Sequence, residues 1–326
     1  MRVLVTGSEG SLMQWVIPKL IGDGHEVLGV DNFFRYGKSE RERDYEFIEG
    51  DLCNESLVAE LLKDTDIVIQ AAARLFGVKG YHKYSADILN RDVVLHQHIM
   101  WHAKEHNIQK IVYISSSMVY ERCETVPSRE EDMDEQRIPY TDYGLSKVVG
   151  ERLCRAFKRQ YGIEYTIWRP FNIITPFEEA EGEQGIAHVF ADFIQGLIFE
   201  KKNPLPILGD GEQVRSFVWI DDVASAIAAY LLDTRTNGEV FNLGNPQPLT
   251  MKELAQKIFD LGHERGFDIP GQKLEFQHLP IYGDDVRIRI PSIEKAKTVL
   301  GWEPTVTVDE ALEMCMEHVV GQSLRR

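Results

Sequence analysis

Apolar positions in the first half of the chain fall into two alternating textures. Short runs such as Val3–Val5, Glu26–Val30, Glu46–Ile48, Ile67–Gln70, Lys110–Ile114 and Glu164–Trp168 are rich in β-formers and read as strands. Between them, Leu57–Lys63, Val93–His106 and Gly144–Arg159 read as helices. The run from Lys110 is apolar at successive positions, the pattern of a strand buried on both faces. Alternation of this kind requires crossover connections. It predicts an α/β fold, a doubly wound parallel sheet with helices on both faces.

Past Phe171 the texture changes. Ile173 to Gly185 is rich in Pro, Glu and Gly and reads as a loop. Asp221–Leu232 reads as a helix with a small-residue face at Ala224 and Ala228, and Val240–Leu243 as another strand. From Thr250 onward helices, turns and short strands mix without a simple period, and no repeat or low-complexity linker separates them. We therefore expect a nucleotide-binding domain from 1–172 plus about 216–245. A smaller mixed α/β substrate domain, interleaved with it, would take 173–215 plus 246–326.

The net charge of -16 over 326 residues argues against nucleic acid or an anionic membrane as partner, because no basic excess offsets phosphate. A small anionic ligand held by a few arginines stays open. No apolar run approaches the roughly 18 residues of a membrane span, and the chain opens on a strand rather than a leader-like segment. Cys53, Cys123, Cys154 and Cys315 are scattered with no metal-ligand spacing, so reduced thiols in a cytoplasm, and no metal, are the expectation.

The chemistry begins at the first turn, where Val3–Val5 runs into Thr6, Gly7 and Gly10. A strand, a glycine turn and a helix point backbone amides at a pyrophosphate, with Ser11 and Leu12 opening the helix. Where a third small residue would let the helix settle stands Met13, whose adaptable side chain can bend aside. The second strand ends in Asp31 and Asn32, where a carboxylate meets the ribose hydroxyls of an adenosine and repels a 2′-phosphate. That favours NAD over NADP. Asp51 and Leu52 could hold the adenine edge, and Ala71, Ala72 and Ala73 would let backbone pass close to the cofactor. By themselves these are also ordinary turn and strand-end residues.

Tyr143 and Lys147 share one helix face. A phenol of ordinary pKa near 10 is a poor base; a neighbouring ammonium and a cationic nicotinamide ring would stabilise its phenolate. Moving that pKa by ~3 units takes ~4 kcal/mol. Ser115, Ser116 and Ser117 lie at the end of a buried strand, where open α/β sheets bind ligands. A surface Tyr/Lys pair and capping serines remain the bland alternatives for each motif alone.

Taken in this order, the motifs resemble those of the extended short-chain dehydrogenase/reductases, in particular the nucleotide-sugar epimerases, dehydratases and decarboxylases, whose core is Rossmann-like. The family's TGxxGxxG is matched at Thr6, Gly7 and Gly10 and departs at Met13. Its serine-rich strand end before VYG is matched from Ser115 to Tyr120, with Glu121 in place of the glycine, and its YxxxK by Tyr143 and Lys147. Its RPFN appears at Arg169–Asn172, followed by Thr175-Pro176, and its RxFxxxD at Arg215–Asp221. Arg289 to Lys297 and Leu300 to Pro304 resemble its C-terminal signature.

The resemblance implies a tightly held NAD that oxidises a sugar carbon, usually C4. Tyr143 would be the base, Lys147 the support of phenolate and nicotinamide ribose, and Ser116 the assisting hydroxyl. Asn172, Arg215 and Arg289 would hold the diphosphate of a nucleotide sugar, and His188 and Ser117 would also face the substrate. It further implies a homodimer through the helices Asp92–His106 and Gly144–Arg159. Met100 and Trp101 are candidates for that face, although core packing explains them as simply.

Within this family the residues after Ser116 separate the reactions. The 4,6-dehydratases place an Asp-Glu pair where Ser117 and Met118 stand, and the UDP-glucuronate decarboxylases a glutamate where Met118 stands. The GDP-mannose 3,5-epimerases place a cysteine where Val119 stands. A 4-epimerase needs none of these, which makes it the expectation here, with a UDP-sugar, uronic acids included, as substrate. A dehydratase or decarboxylase is the alternative. A non-catalytic NAD sensor, suggested by Met13, Glu121 and Thr175, and a carbonyl reductase using NADPH, which Asp31 opposes, are readings from other classes.

Overall fold

The computed structural model describes residues 1–35, 37–38, 41–133, 138–178, 180, 185–283 and 285–323. Six strands come first in the chain: β1 (Arg2–Thr6), β2 (Glu26–Asp31), β3 (Glu46–Glu49), β4 (Ile67–Gln70), β5 (Lys110–Ile114) and β6 (Glu164–Pro170). With a later strand, Glu239–Leu243, they form one seven-stranded sheet in the order β3-β2-β1-β4-β5-β6 and then Glu239–Leu243. Every pairing in it is parallel. The order reverses between β1 and β4, and β5, β4 and most of β1 are buried on both faces. That continuous apolar texture is what made these strands legible.

The helices are α1 (Met13–Gly22), α2 (Glu55–Leu62), α3 (Val78–Lys83), α4 (Ser85–Glu105), α5 (Asp142–Tyr161), α6 (Val189–Ile194), α7 (Ile220–Ala229), α8 (Met251–Glu264) and α9 (Val308–Ser323). The expected helix at Val93 begins eight residues earlier, at Ser85. Its first turns are polar outside and bury only Ile88 and Asp92, so the apolar stripe is too thin to announce them. α5 is firmly bounded: Thr141 accepts the Gly144 amide at its start, and Gly162 (φ +77°) ends it in the left-handed region.

One face of the sheet packs with α1, α7, Ile293, Ala296, Leu300 and Trp302 in a single apolar cluster, and Met13 lies inside it, 1 % exposed. The misfit at the third glycine position is thus absorbed by the core. A second cluster joins α6, α8 and α9. Short ladders accompany it: Ile173–Ile174 with Val218–Trp219, Leu205–Leu208 with Phe276–Leu279, and Val214–Arg215 between Leu249–Thr250 and Ile288–Arg289. Of the loop expected from Ile173 to Gly185, Ile173–Ile174 pairs as a strand, while Glu179 and residues 181–184 lie outside the described residues. Among the described residues no helix is long and apolar enough to cross a membrane.

Candidate active site

The cofactor, catalytic and substrate residues expected from the sequence all line one cavity along the carboxyl ends of the strands. Its wall includes Gly7, Gly10, Ser11, Leu12, Asp31, Asn32, Asp51, Leu52 and Ala71–Ala73, and continues through Ser116, Ser117, Tyr143, Lys147, Asn172, His188, Arg215 and Arg289. This is where the order of the sheet reverses, the usual ligand crevice of such folds.

At the first turn Gly7 has φ +67°, and a Cβ there would lie 3.0 Å from the backbone of Ala72. Thr6 Oγ1 draws the two segments together by accepting the amides of Ala71 and Ala72, both at 3.1 Å. No side chain caps the start of α1; the Gln14 and Trp15 amides bond the carbonyls of Gly10 and Leu12. The turn from Gly10 to Met13 lines the cavity, where a helix start favours an anion. Asp31 accepts the Phe33 amide at 2.7 Å and the Glu9 amide at 3.0 Å. These features fit a dinucleotide.

Around Tyr143 and Lys147 the cavity wall is a buried polar nest. Lys147 donates its ammonium to the Ile114 carbonyl at 2.9 Å and lies 5.6 Å from the Tyr143 ring centre. Burial lowers its pKa to about 8, against the opposing pull of Asp92 and Glu151. Burial also drives Tyr143 above the ordinary phenol range, more than a hydrogen bond with Ser116 brings it down. The expectation that the ammonium lowers the phenol is not met by the protein alone: in a site this dry, desolvation outweighs it.

Three groups here escaped sequence analysis. Tyr81 on α3 stacks on Tyr143 with ring centres 4.6 Å apart and planes 13° from parallel, and nothing in its surroundings in the chain marks it. Asp92 is wholly buried on α4, accepts the Arg74 amide at 3.1 Å, and has its pKa raised by burial to about 6. An acid on the stripe Ile88-Asp92-Leu95-Ile99 was the signal available. Glu178 takes the His188 amide at 2.7 Å and its Nδ1 at 2.6 Å, so His188 faces the cavity with one side already bound.

Beyond Ser116, the slots at Ser117 and Met118 hold no acid. Glu121 is buried nearby, but both of its oxygens serve the start of α5. One accepts the Thr141 amide at 2.7 Å and the other the Thr141 hydroxyl at 2.6 Å. Arg169 likewise supports the scaffold, with Nε and Nη2 on Glu151 at 2.8 and 2.6 Å.

Arg215 and Arg289 are register partners on adjacent strands, and both are buried. Arg215 pairs with Asp285 at 3.0 Å. Arg289 bonds only neutral groups, Met118 Sδ and Asn172 Oδ1, and its Nε finds no partner among the described residues. Burial, with the neighbouring Arg289 second, lowers Arg215 to about 9. Two guanidiniums crowded this way suit an anion with oxygens for both.

Residues 3–244 match the model of the NAD dependent epimerase/dehydratase family. The chain belongs to that family. NAD is accordingly its cofactor. Among its family relatives is a putative UDP-glucose 4-epimerase of Methanocaldococcus jannaschii, 32% identical, the match covering 95% of this chain and 96% of that protein. The UDP-glucuronic acid decarboxylase 1 of Danio rerio is 28% identical over 97% of this chain and 72% of its own. Among solved structures, the Bacillus cereus UDP-glucuronic acid 4-epimerase in complex with UDP-glucuronic acid and NAD superposes with a TM-score of 0.83. It is 25% identical, over 99% of this chain and 100% of that one.

Proposed function

We propose that the protein is a nucleotide-sugar 4-epimerase acting on a UDP-sugar, uronic acids included. The observation that carries this reading is the pairing of Tyr143, Lys147 and Ser116 with an acid-free Ser117-Met118. In this reading Gly7, Gly10, Ser11 and Leu12 hold the NAD pyrophosphate and Asp31 and Asn32 its adenosine ribose. Asp51 and Leu52 border the adenine, and Ala71–Ala73 lie along the cofactor. NAD supplies the hydride acceptor at C4.

Tyr143 takes the proton of the C4 hydroxyl, through Ser116 or directly, and returns it once the 4-keto sugar has turned its other face. Lys147, tethered to the end of β5, fixes the phenol's position and favours its anion. Arg215, Arg289 and Asn172 grip the diphosphate while the sugar turns, with Ser117 beside the sugar and His188 in the stretch toward the nucleotide base. Dehydration or decarboxylation needs an acid or base at C5 and C6, which Glu121, committed to α5, does not offer.

Turnover of a UDP-sugar panel in D2O, followed by proton NMR, tests the proposal. Epimerisation should leave C4 and C5 unlabelled. Deuterium at C5 or C6, or release of carbon dioxide, overturns it in favour of a dehydratase or decarboxylase, and no turnover at all favours a sensor. We also propose a homodimer through α4 and α5. Met100 is in the core, but Trp101 is 46% exposed and shares Lys104 with Tyr161; a monomer by static light scattering would remove this.

A further inference from the structure

Beside the adenosine end of the cavity lies an ion cluster that the reaction leaves unused. Glu9, in the glycine turn, is 7 % exposed and receives two guanidinium forks. Arg41 donates through Nε at 3.1 Å and Nη2 at 3.0 Å, and Arg43 through Nε at 3.1 Å and Nη2 at 3.0 Å. Tyr45 adds its hydroxyl at 2.5 Å. Arg43 is pinned over the Phe47 ring at 4.4 Å. The backbone amide of the same Glu9 donates to Asp31 at 3.0 Å. One residue thus orients the carboxylate ending β2 with its backbone and binds two cations with its side chain.

We infer that Glu9 is a second determinant of cofactor choice, holding Arg41 and Arg43 in a carboxylate-bound arrangement and so withholding them from a ribose 2′-phosphate. This rests on the adenosine ribose lying at Asp31 and not on the reaction proposed above. A 2′-phosphate is recognised by arginine forks beside the ribose. Here two forks stand behind Glu9, which itself lines the cavity, and their donors already meet its carboxylate. Two carboxylates and two guanidiniums sum to no net charge, so a phosphate dianion gains nothing from the cluster. Loss of both carboxylates would leave two positive charges at the ribose end.

The test is competition for the site. Each variant is exchanged against equimolar NAD and NADP, desalted and denatured, and the released nucleotides are quantified. Asp31→Asn alone should raise the NADP-to-NAD ratio by about 3-fold or less, because the arginines stay on Glu9. Asp31→Asn with Glu9→Gln should raise it by about 100-fold, the effect of two charge-assisted bonds. Adding Arg41→Gln and Arg43→Gln to that pair should return the ratio to the level of Asp31→Asn. A full switch by Asp31→Asn alone, or no loss of ratio on removing the arginines, would make Glu9 a mere strut of the loop. If Glu9→Gln does not fold, Glu9→Ala with Asp31→Asn takes its place: a rise of the same order supports the inference, and a rise of about 3-fold or less overturns it.

Discussion

The two ends of the cavity treat charge in opposite ways. At the adenosine end the Glu9 carboxylate meets charged and hydroxyl partners directly, two arginines and a phenol. Burial pushes its pKa up, but those bonds outweigh it and bring it to about 2. At the reaction end Tyr143, Lys147 and Asp92 are dry and incompletely paired, and burial is the largest influence on all three. One end fixes its charges; the other holds groups near the point of changing theirs. The first suits recognition of a permanent cofactor, and the second suits proton transfer.

The largest effect should come from removing the transferable proton. Tyr143→Phe keeps the ring stacked on Tyr81 and should lower kcat by roughly 1000-fold, a usual size for a lost acid/base group. Cofactor content should stay at the wild-type level. A loss of less than tenfold would move the base elsewhere.

The adenosine end should reveal itself in acid. Glu9 has a folded pKa of about 2 against 4.5 ordinarily. Its contribution is present above pH 4.5 and is lost as pH falls through 2. The shift corresponds to about 3 kcal/mol. Denaturant unfolding of the wild type should weaken by that order across this window, and Glu9→Gln should lack this part of the slope. Parallel acid slopes for the two proteins would show that the cluster is not acting as a unit.

A smaller effect sharpens the reaction end. The Lys147 ammonium predominates below pH 8 and is lost above it. The kcat profile should therefore bend downward above about pH 8, approaching tenfold per unit. Asp92→Asn removes the carboxylate that opposes deprotonation and should move the bend to lower pH. A profile still climbing at pH 9 would put phenolate formation in control instead.

Sequence alone reached the sheet and many of the residues that line the cavity, for a physical reason. Strands buried on both faces write themselves as apolar runs, as Lys110–Ile114 does, and Tyr143 and Lys147 are neighbours on one helix. What it missed depends on segments that meet only in three dimensions. Glu9 and its arginines are 32 and 34 residues apart, with no periodicity linking them. The two-residue ladder that sets Arg215 beside Arg289 is too short to leave a pattern, and Asp92 was hidden by the thin apolar stripe of α4. Met13 was an apparent defect only while the core around it was unseen.

The seventh strand has a consequence for how the chain is made. β6 has β5 on one side, but its other edge is covered only by Glu239–Leu243. That strand leaves the ribosome roughly 70 residues after β6, a delay of about 4–15 s at ordinary synthesis rates. During that interval the segment Glu164–Pro170, buried along most of its length in the finished fold, presents bare amides and carbonyls to whatever strand is nearby. Nascent chains halted between these two strands should therefore be the ones that most need a chaperone, whatever the stability of the finished protein.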